Sequence, residues 1–541
     1  MSALCWPLGN SRLLSGRASY NRIFTHGASL SAVSRRRGST RTFSSYQHHR
    51  SPSAGNAQAI TFLTAAPVTP AAEQITSHFA SILPIVNDAR VVPVIFASTF
   101  CAPLIDPTQS SLGEIVNDLL RRVHPENPPA VAYTVTAVVD KITGNSRRVA
   151  DGESTSTHLV PQGREGLSLL LADATGVKAR GAKPTRTRGA ASEEPAFIFS
   201  TLPDAGGQAL SHEVGLRLAN TIFVNGKDRT LIGMKWNFDE RSRRYVLDKY
   251  RDLGVCSVGL SQSARQCSIN IPLIPVTPLR RVVSSMGNIL RQVSKSLEST
   301  SDAQPASADL ERELPRYVSS LGMPHQRVSV WALIQPAESA LPVQEWSAKQ
   351  LEEAVSRGAR LHRVMSGGGG WGKKQGLLSL DPEIFFRDGK HANTEVTVER
   401  VFDTGKNATD VDPSAEVAEI LDLSLEESIA SLTQITKEGD YVQFFVEIPP
   451  TKKAVSESLV ETQSQALSAA FAVAAPSDIS PGAVDGAGED ARNPEGILTV
   501  LPNHFGGLSE TAITYRLKSD AADFQRSTKL SMPGAGVELK L

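Results

Sequence analysis

Apolar residues along this 541-residue chain recur with two periods, and the alternation between them predicts strands interleaved with helices. In residues 73–83, Ile75, Phe79 and Ile82 recur at helical spacing. Residues 91–98 (VVPVIFAS) form a continuous, largely β-branched run of the kind buried on both faces of a sheet. Ser111 opens a second helix, in which Leu112, Ile115, Val116, Leu119 and Leu120 make one stripe. Further strands are predicted at 130–142, 165–172, 196–201, 230–234 and 255–260, with a helix over 210–218. The basic, Gly/Pro/Ser-rich stretch 176–195 reads as a surface loop. Short apolar strands alternating with amphipathic helices predict an α/β domain over 59–299, a layered sheet with flanking helices.

The second half is patterned differently. Residues 279–297 read as a basic helix, and the polar stretch after them places a domain boundary near 300. Residues 328–334 (VSVWALI) read as a strand. Ser347 can cap a helix over 348–357, with Gln350 at the capping-box position. Residues 361–450 are mainly strand-like and end in YVQFFVEI. The expectation is a β-rich α+β domain over 300–473, a flexible Ala/Gly/Pro/Asp-rich linker over 474–496, and a C-terminal appendage of one or two strands over 497–541.

Charge changes the picture at the N-terminus. Eight arginines and no lysine precede the first acidic residue, Glu73. Arg12, Leu13, Leu14, Arg17, Tyr20, Ile23 and Phe24 can form an amphipathic turn that is basic on one side. No apolar run of secretory length occurs there, so residues 1–43 read as a mitochondrial presequence, drawn inward by the membrane potential. Arg41-Thr42-Phe43-Ser44-Ser45 resembles a matrix-peptidase site and predicts cleavage after Phe43, leaving 44–58 as a polar, disordered tail. Removing residues 1–43 takes away seven of the 56 basic residues and none of the 56 acidic ones, a net charge of about −7. An acidic mature chain argues against nucleic-acid binding by bulk charge. No apolar run approaches the roughly 18 residues of a membrane helix, so no membrane span is expected.

Candidate chemistry is sparse. After Cys5 leaves with the presequence, Cys101, Cys256 and Cys267 remain, without C-x-x-C pairing or His clusters, so neither a metal site nor a cofactor is expected. Each reads as a small buried hydrophobe, and Cys101, opening a loop after an apolar run, also as a reactive thiol. The sharpest local feature is Gly367, Gly368, Gly369, Gly370, Trp371, Gly372, Lys373 and Lys374, a candidate anion- or ligand-binding loop. Gly367-x4-Gly372-Lys373 fits the front of a P-loop, whose glycines let backbone N–H groups face phosphate. Lys374 stands where a Ser or Thr should hold Mg²⁺, the downstream residues make a poor helix, and Leu378 to Asp381 is a weak Walker B candidate. A plain flexible loop and a loop ordered around an anion remain the alternatives. Arg360, His362 and Arg363 make this neighbourhood locally basic. His212-Glu213 and Glu352-Glu353 lie on expected helices and read as solvated; Lys235 to Asp239 reads as a cleft lining or a packed edge.

Residues 60–275 resemble the N-terminal half of the FIST sensory domain. The resemblance rests on the helix and apolar strand from Gln74 to Ser98, on Glu165-Gly166-Leu167-Ser168, on Leu231-Ile232-Gly233, and on Gly254-Val255-Cys256-Ser257-Val258-Gly259-Leu260. The family's glycine-rich sequences after the second strand are missing here, and the insertion at 176–195 is foreign to it. The resemblance implies a domain that binds small ligands, amino acids among them, for signal transduction, and no enzyme activity. The expectation is a mitochondrial protein of the matrix or the matrix face of the inner membrane, with a ligand-sensing or interaction role. Its partner would be a small molecule or a protein. The alternatives are a gene-expression factor bound to RNA or ribosomes, and an enzyme holding a phosphorylated substrate at the glycine loop.

Overall fold

The computed structural model describes residues 58–64, 69–82, 90–150, 157–182, 195–203, 210–220, 230–297, 302–320, 328–338, 348–367, 376–386, 395–403, 435–447, 466–475, 498–519 and 526–541. Residues 1–43, read above as a presequence, residues 476–496 of the expected linker (474–496) and Gly368 to Lys374 lie outside these residues.

Strands dominate. The largest sheet runs β23 (Leu498–Pro502), β1 (Gln58–Thr64), β6 (Gly166–Asp173), β2 (Val91–Ser98), β3 (Val131–Val139), β10 (Leu231–Asp239), β11 (Arg244–Ser263), β8 (Ala196–Leu202), β9 (Leu210–Arg217), β25 (Ile513–Ser519) and β26 (Arg526–Leu530). Two short strands, β7 (Val177–Gly181) and β20 (Val396–Thr397), join it beside β11. Pairing is antiparallel except at β2–β3 and β11–β8. The 20-residue β11 pairs with β10 through its first half and with β7 and β8 through its second, so it carries the sheet from one region to the next. The arm β4 (Ile142–Ala150) and β5 (Thr157–Arg164) projects between β3 and β6 in sequence.

The central strands are apolar because both faces are covered. In β2, Ile95 and Ala97 join the helix α1 (Ala72–Thr76), the 3₁₀ turn Ser77–Ser81 and the helix α2 (Ser110–Val123) in one core. Val92, Val94 and Phe96 face the other way. The α2 stripe Leu112, Ile115, Val116, Leu119, Leu120 and Val123 is fully buried, which contributes roughly 10 kcal/mol before entropy is counted. Asn117 ties α2 to the sheet: its amide donates to Tyr245 O (2.9 Å) and its Oδ1 accepts from Tyr245 N (2.6 Å).

Across the opposite face lies a four-stranded sheet, β12 (Gln266–Asn270), β27 (Gly536–Lys540), β22 (Ser468–Val473) and β24 (His504–Ser509). Phe96, Phe197, Phe199, Phe471 and Phe505 interlock between the two sheets, with Phe96 4.7 Å from both Phe197 and Phe505. Gly506 permits that approach, because a Cβ there would strike Ala470 O and Thr143 Oγ1. The two sheets are also stitched by side chains: Ser168 Oγ accepts from Gly506 N (3.2 Å) and lies 2.7 Å from Thr61 Oγ1.

A closed six-stranded barrel completes the chain: β14 (Arg280–Met286), β15 (Ile289–Ser294), β19 (Leu378–Leu380), β18 (Arg360–Gly367), β17 (Val330–Gln335) and β21 (Tyr441–Glu447), which pairs back with β14. Two further strands flank it, β13 (Leu273–Pro275) on β21 and β16 (Ala303–Pro305) on β15. Val282, Leu290, Ala332, Leu380, Val442 and Phe444 share one core with Leu310 of the helix Ala308–Ser320, whose Leu314 and Tyr317 pack against it. The outward-facing Trp331, Leu333, Leu361 and Phe445 belong to the core shared with the two sheets. Among the described residues, no helix is long and apolar enough to cross a membrane.

Several expectations need correction. The architecture is mainly strand, with α1 and α2 flanking one face of one sheet, and is not clearly a layered α/β fold. The expected helix at 210–218 is β9, and the expected helix at 279–297 is the hairpin β14–β15. The hairpin turns on Gly287, whose φ of +58° suits glycine. Strands β14 and β15 share the barrel sheet with β17, β18, β19 and β21, so that sheet spans the position near 300 where a domain boundary is expected. Part of the expected loop 176–195 is β7. The C-terminal residues are not an appendage: β23 pairs with β1, β25 and β26 extend the large sheet, and β24 and β27 build the second one.

Candidate functional site

The glycine loop's described ends show a hairpin. Gly367 closes β18 opposite Leu378 of β19, and the two strands are antiparallel. A P-loop needs a strand, a loop and then a helix that aims its N-terminus at phosphate; here a strand starts at Leu378, and Gly376 (φ +81°) turns the chain into it. The Walker B reading of residues 378–381 fails for the same reason, since Asp381 serves as an ion-pair partner of Lys529 at 3.0 Å. The basic neighbourhood also divides. His362 and Arg360 stand opposite Ala332 and Ile334 on the barrel's inner face, and Arg360 donates to Ile435 O. Arg363 faces outward and reaches Ser329 Oγ.

The densest set of buried charges lies elsewhere, where the barrel meets β9, β25 and β26. In β9 the side chains alternate: Val214 and Leu216 enter the shared core, leaving Glu213, Gly215 and Arg217 on the opposite face. In β25, Ile513, Tyr515 and Leu517 enter that core, and Thr514, Arg516 and Lys518 fall beside the β9 charges. Lys529 of β26 stands opposite Thr514. Residues 381–386, which follow β19, run across this face.

Glu213 is 2% exposed and Arg516 8%. The Glu213 carboxylate pairs with Lys518 and lies 3.7 Å from Arg516 Nη1. Arg217 pairs with Glu383, which also receives Lys529. Two rings are laid under the cations: Phe386 is 4.4 Å from the Arg217 guanidinium carbon, and Phe385 is 4.9 Å from that of Arg516. Gly215 leaves room that a Cβ would take from Thr514 Oγ1 and Phe386. Thr514 is fully buried, and its hydroxyl has no partner among the described residues. The arrangement therefore offers anionic and cationic groups side by side, from the buried Glu213 and Arg516 to the partly exposed Lys518 and Glu383, at the seam between the barrel and the large sheet.

On the core side of the same strands, the Tyr515 hydroxyl lies 2.9 Å from His212 Nδ1, and the Cys267 thiol donates to it at 3.8 Å. Burial pushes the Cys267 thiol up to about 12 and raises Tyr515 as well, so both stay protonated. Cys101 is inaccessible, and burial, opposed by a Ser98 hydrogen bond, pushes its thiol up to about 11. Burial also raises Cys256. None of the three is a reactive thiolate, so the alternative reading of Cys101 is not supported.

Sequence reasoning missed the seam because it placed His212-Glu213 on a solvated helix, whereas Glu213 is buried on a strand. The alternation Leu210, His212, Val214, Leu216 carried the strand signal. Glu352, also read as solvated, accepts from Ile269 N (3.3 Å), while Glu353 pairs with Arg357 on the helix Ala348–Ser356. In β10, Trp236 is buried and donates to Thr134 Oγ1 (2.9 Å), whereas Phe238 does line a groove on the helix-covered side of the sheet. The FIST-like motifs occupy structural positions: Gly166 (φ +151°) passes so close to β1 that a Cβ would strike Phe62 O, and Gly259 N donates to Gly176 O (2.9 Å). Comparison with family profiles, curated proteins and solved structures finds no match to this chain.

Proposed function

We propose that this protein is a non-catalytic mitochondrial sensor, and that its ligand is a small zwitterion of the amino-acid class held at the seam between the β9–β25–β26 face and residues 381–386. The observation that carries this reading is the pairing of the buried Glu213 with Arg516 and Lys518 beside the Thr514 hydroxyl, which has no partner among the described residues. A zwitterion presents one carboxylate and one ammonium, so a site built for it needs both charges within a few ångströms and shielded from water. Arg217, Arg516 and Lys518 supply donors for the carboxylate; Glu213 and Glu383 supply acceptors for the ammonium. The resemblance to FIST domains supports a sensing role. The acid-free leader supports a matrix address, with a mature start at Ser44. The hairpin at Gly367 offers no support for a nucleotide enzyme.

Calorimetric titration of the mature protein with each of the twenty amino acids tests the reading. At least one is expected to bind, and Arg516→Met to weaken it by about tenfold or more. Absence of binding by all twenty, or an unchanged affinity in the Arg516→Met protein, would reject the site. N-terminal sequencing of protein from isolated mitochondria tests the address, and an intact Met1 would reject it.

A further inference from the structure

A concavity lies on the helix-covered side of the large sheet and shares no residue with the seam. It is a groove of about 620 Å³ between α1 and the turn after it, the C-terminal end of α2, residues 124–128 and the β10–β11 hairpin. Its apolar surface comes from Phe238, Pro125 and Pro128, above the buried Phe79. Its charge comes from Arg121, Arg122 and Arg243, against one acid, Asp118.

The three arginines are not equivalent. Arg122 is committed to the fold: its Nε donates to Ile82 O (3.0 Å) and its Nη2 to Ala80 O (2.9 Å), which anchors one wall. Arg121 and Arg243 make no ion pair with any described residue. Arg243 also sits at φ +51°, a left-handed conformation that arginine rarely adopts. Asp239 holds the turn that imposes it, accepting from Arg241 N, Ser242 N and Ser242 Oγ. Two uncommitted guanidiniums over an aromatic and prolyl floor complement a ligand that is apolar in body and anionic at one end.

We propose that this groove is a binding site for an organic anion, a phosphate or carboxylate carried on a flat apolar frame, gripped by Arg121 and Arg243 and seated on Phe238, Pro125 and Pro128. The site is independent of the seam, so either can fail without the other.

Calorimetry with 1-naphthyl phosphate tests it, with inorganic phosphate and neutral 1-naphthol as the two halves of the probe. The naphthyl phosphate is expected to bind at least about tenfold tighter than either half. Arg121→Ala/Arg243→Ala is expected to weaken it about tenfold or more, Arg121→Lys/Arg243→Lys to retain part of the affinity, and Arg516→Met to leave it unchanged. Both arginines are exposed, so an unaltered melting curve will show that the variants fold. Equal affinity for naphthol, an unchanged affinity in the double-alanine protein, or no binding of the naphthyl phosphate would each overturn the proposal.

Discussion

Acidification should unlock the barrel through one side chain, His362. It is 2% exposed on the inner face of β18, donates through Nδ1 to Asp381 O at 2.8 Å, and has no partner for Nε2 among the described residues. Burial therefore holds it neutral and lowers its pKa from 6.5 to about 4. A base whose folded pKa is depressed contributes stability that is present above its unfolded pKa and lost as pH falls toward the folded one. The window here is pH 6.5 down to about 4, and at about 1.4 kcal/mol per pH unit the loss reaches about 3 kcal/mol. Burial lowers His504 to about 4 too, which adds to the trend, whereas Asp140, raised to about 6, opposes it. The informative quantity is thus the difference between wild type and His362→Leu in urea unfolding from about pH 7.5 to about 4.5, a range that covers most of this window. At the upper end the variant should be less stable by about 1 kcal/mol, for the lost hydrogen bond. Its curve should fall less steeply, and it should overtake wild type toward the acid end. Parallel curves over the whole range would refute the argument.

Four other outcomes are expected from the packing. Gly166→Ala should cost about 3 kcal/mol, since its Cβ must displace the β1 backbone at a left-handed φ; a loss below about 1 kcal/mol in urea unfolding would show that β1 yields easily. Asp140→Asn should raise stability at about pH 8 by about 2 kcal/mol and leave it unchanged near pH 4, because burial raises the carboxyl to about 6 and its stabilising neutral form is lost as pH rises through that value. Native protein treated with iodoacetamide should carry no label on Cys101 or Cys256 by mass spectrometry, and label at either before unfolding would contradict their burial. Arg217→Met should speed hydrogen exchange in residues 381–386, because it removes the ion pair to Glu383 and the cation over Phe386; unchanged exchange would mean that Lys529 alone holds them.

Elements set by local periodicity were legible. Residues 91–98 and the stripe from Leu112 to Leu120 read correctly because a fully buried strand and a one-sided helix leave unmistakable patterns. Ambiguity arose where one set of residues fits both periods. Leu210, Val214 and Leu218 recur at helical spacing, yet Leu210, Val214 and Leu216 also alternate, and pairing with β8 and β25 settles the strand. In residues 279–297 the apolar spacing suggests a helix, although Gly287-Asn288 between two β-branched runs is a two-residue hairpin signal. The seam was harder to see, because Glu213, Glu383 and the Arg516–Lys529 pair of adjacent strands come from three distant segments and nothing local to any of them announces burial.

By itself, the sequence determined the charge asymmetry of its first 72 residues, the acidic balance of the chain beyond residue 43, and the strands and helix whose burial is written into a single period. Only the tertiary structure decided which faces those strands share. Barrel closure, the seating of the C-terminal strands in both sheets, and the meeting of buried charges at the seam all depend on pairings across hundreds of residues. Such pairings gain their energy from burial and hydrogen bonds that exist only once the distant partner arrives.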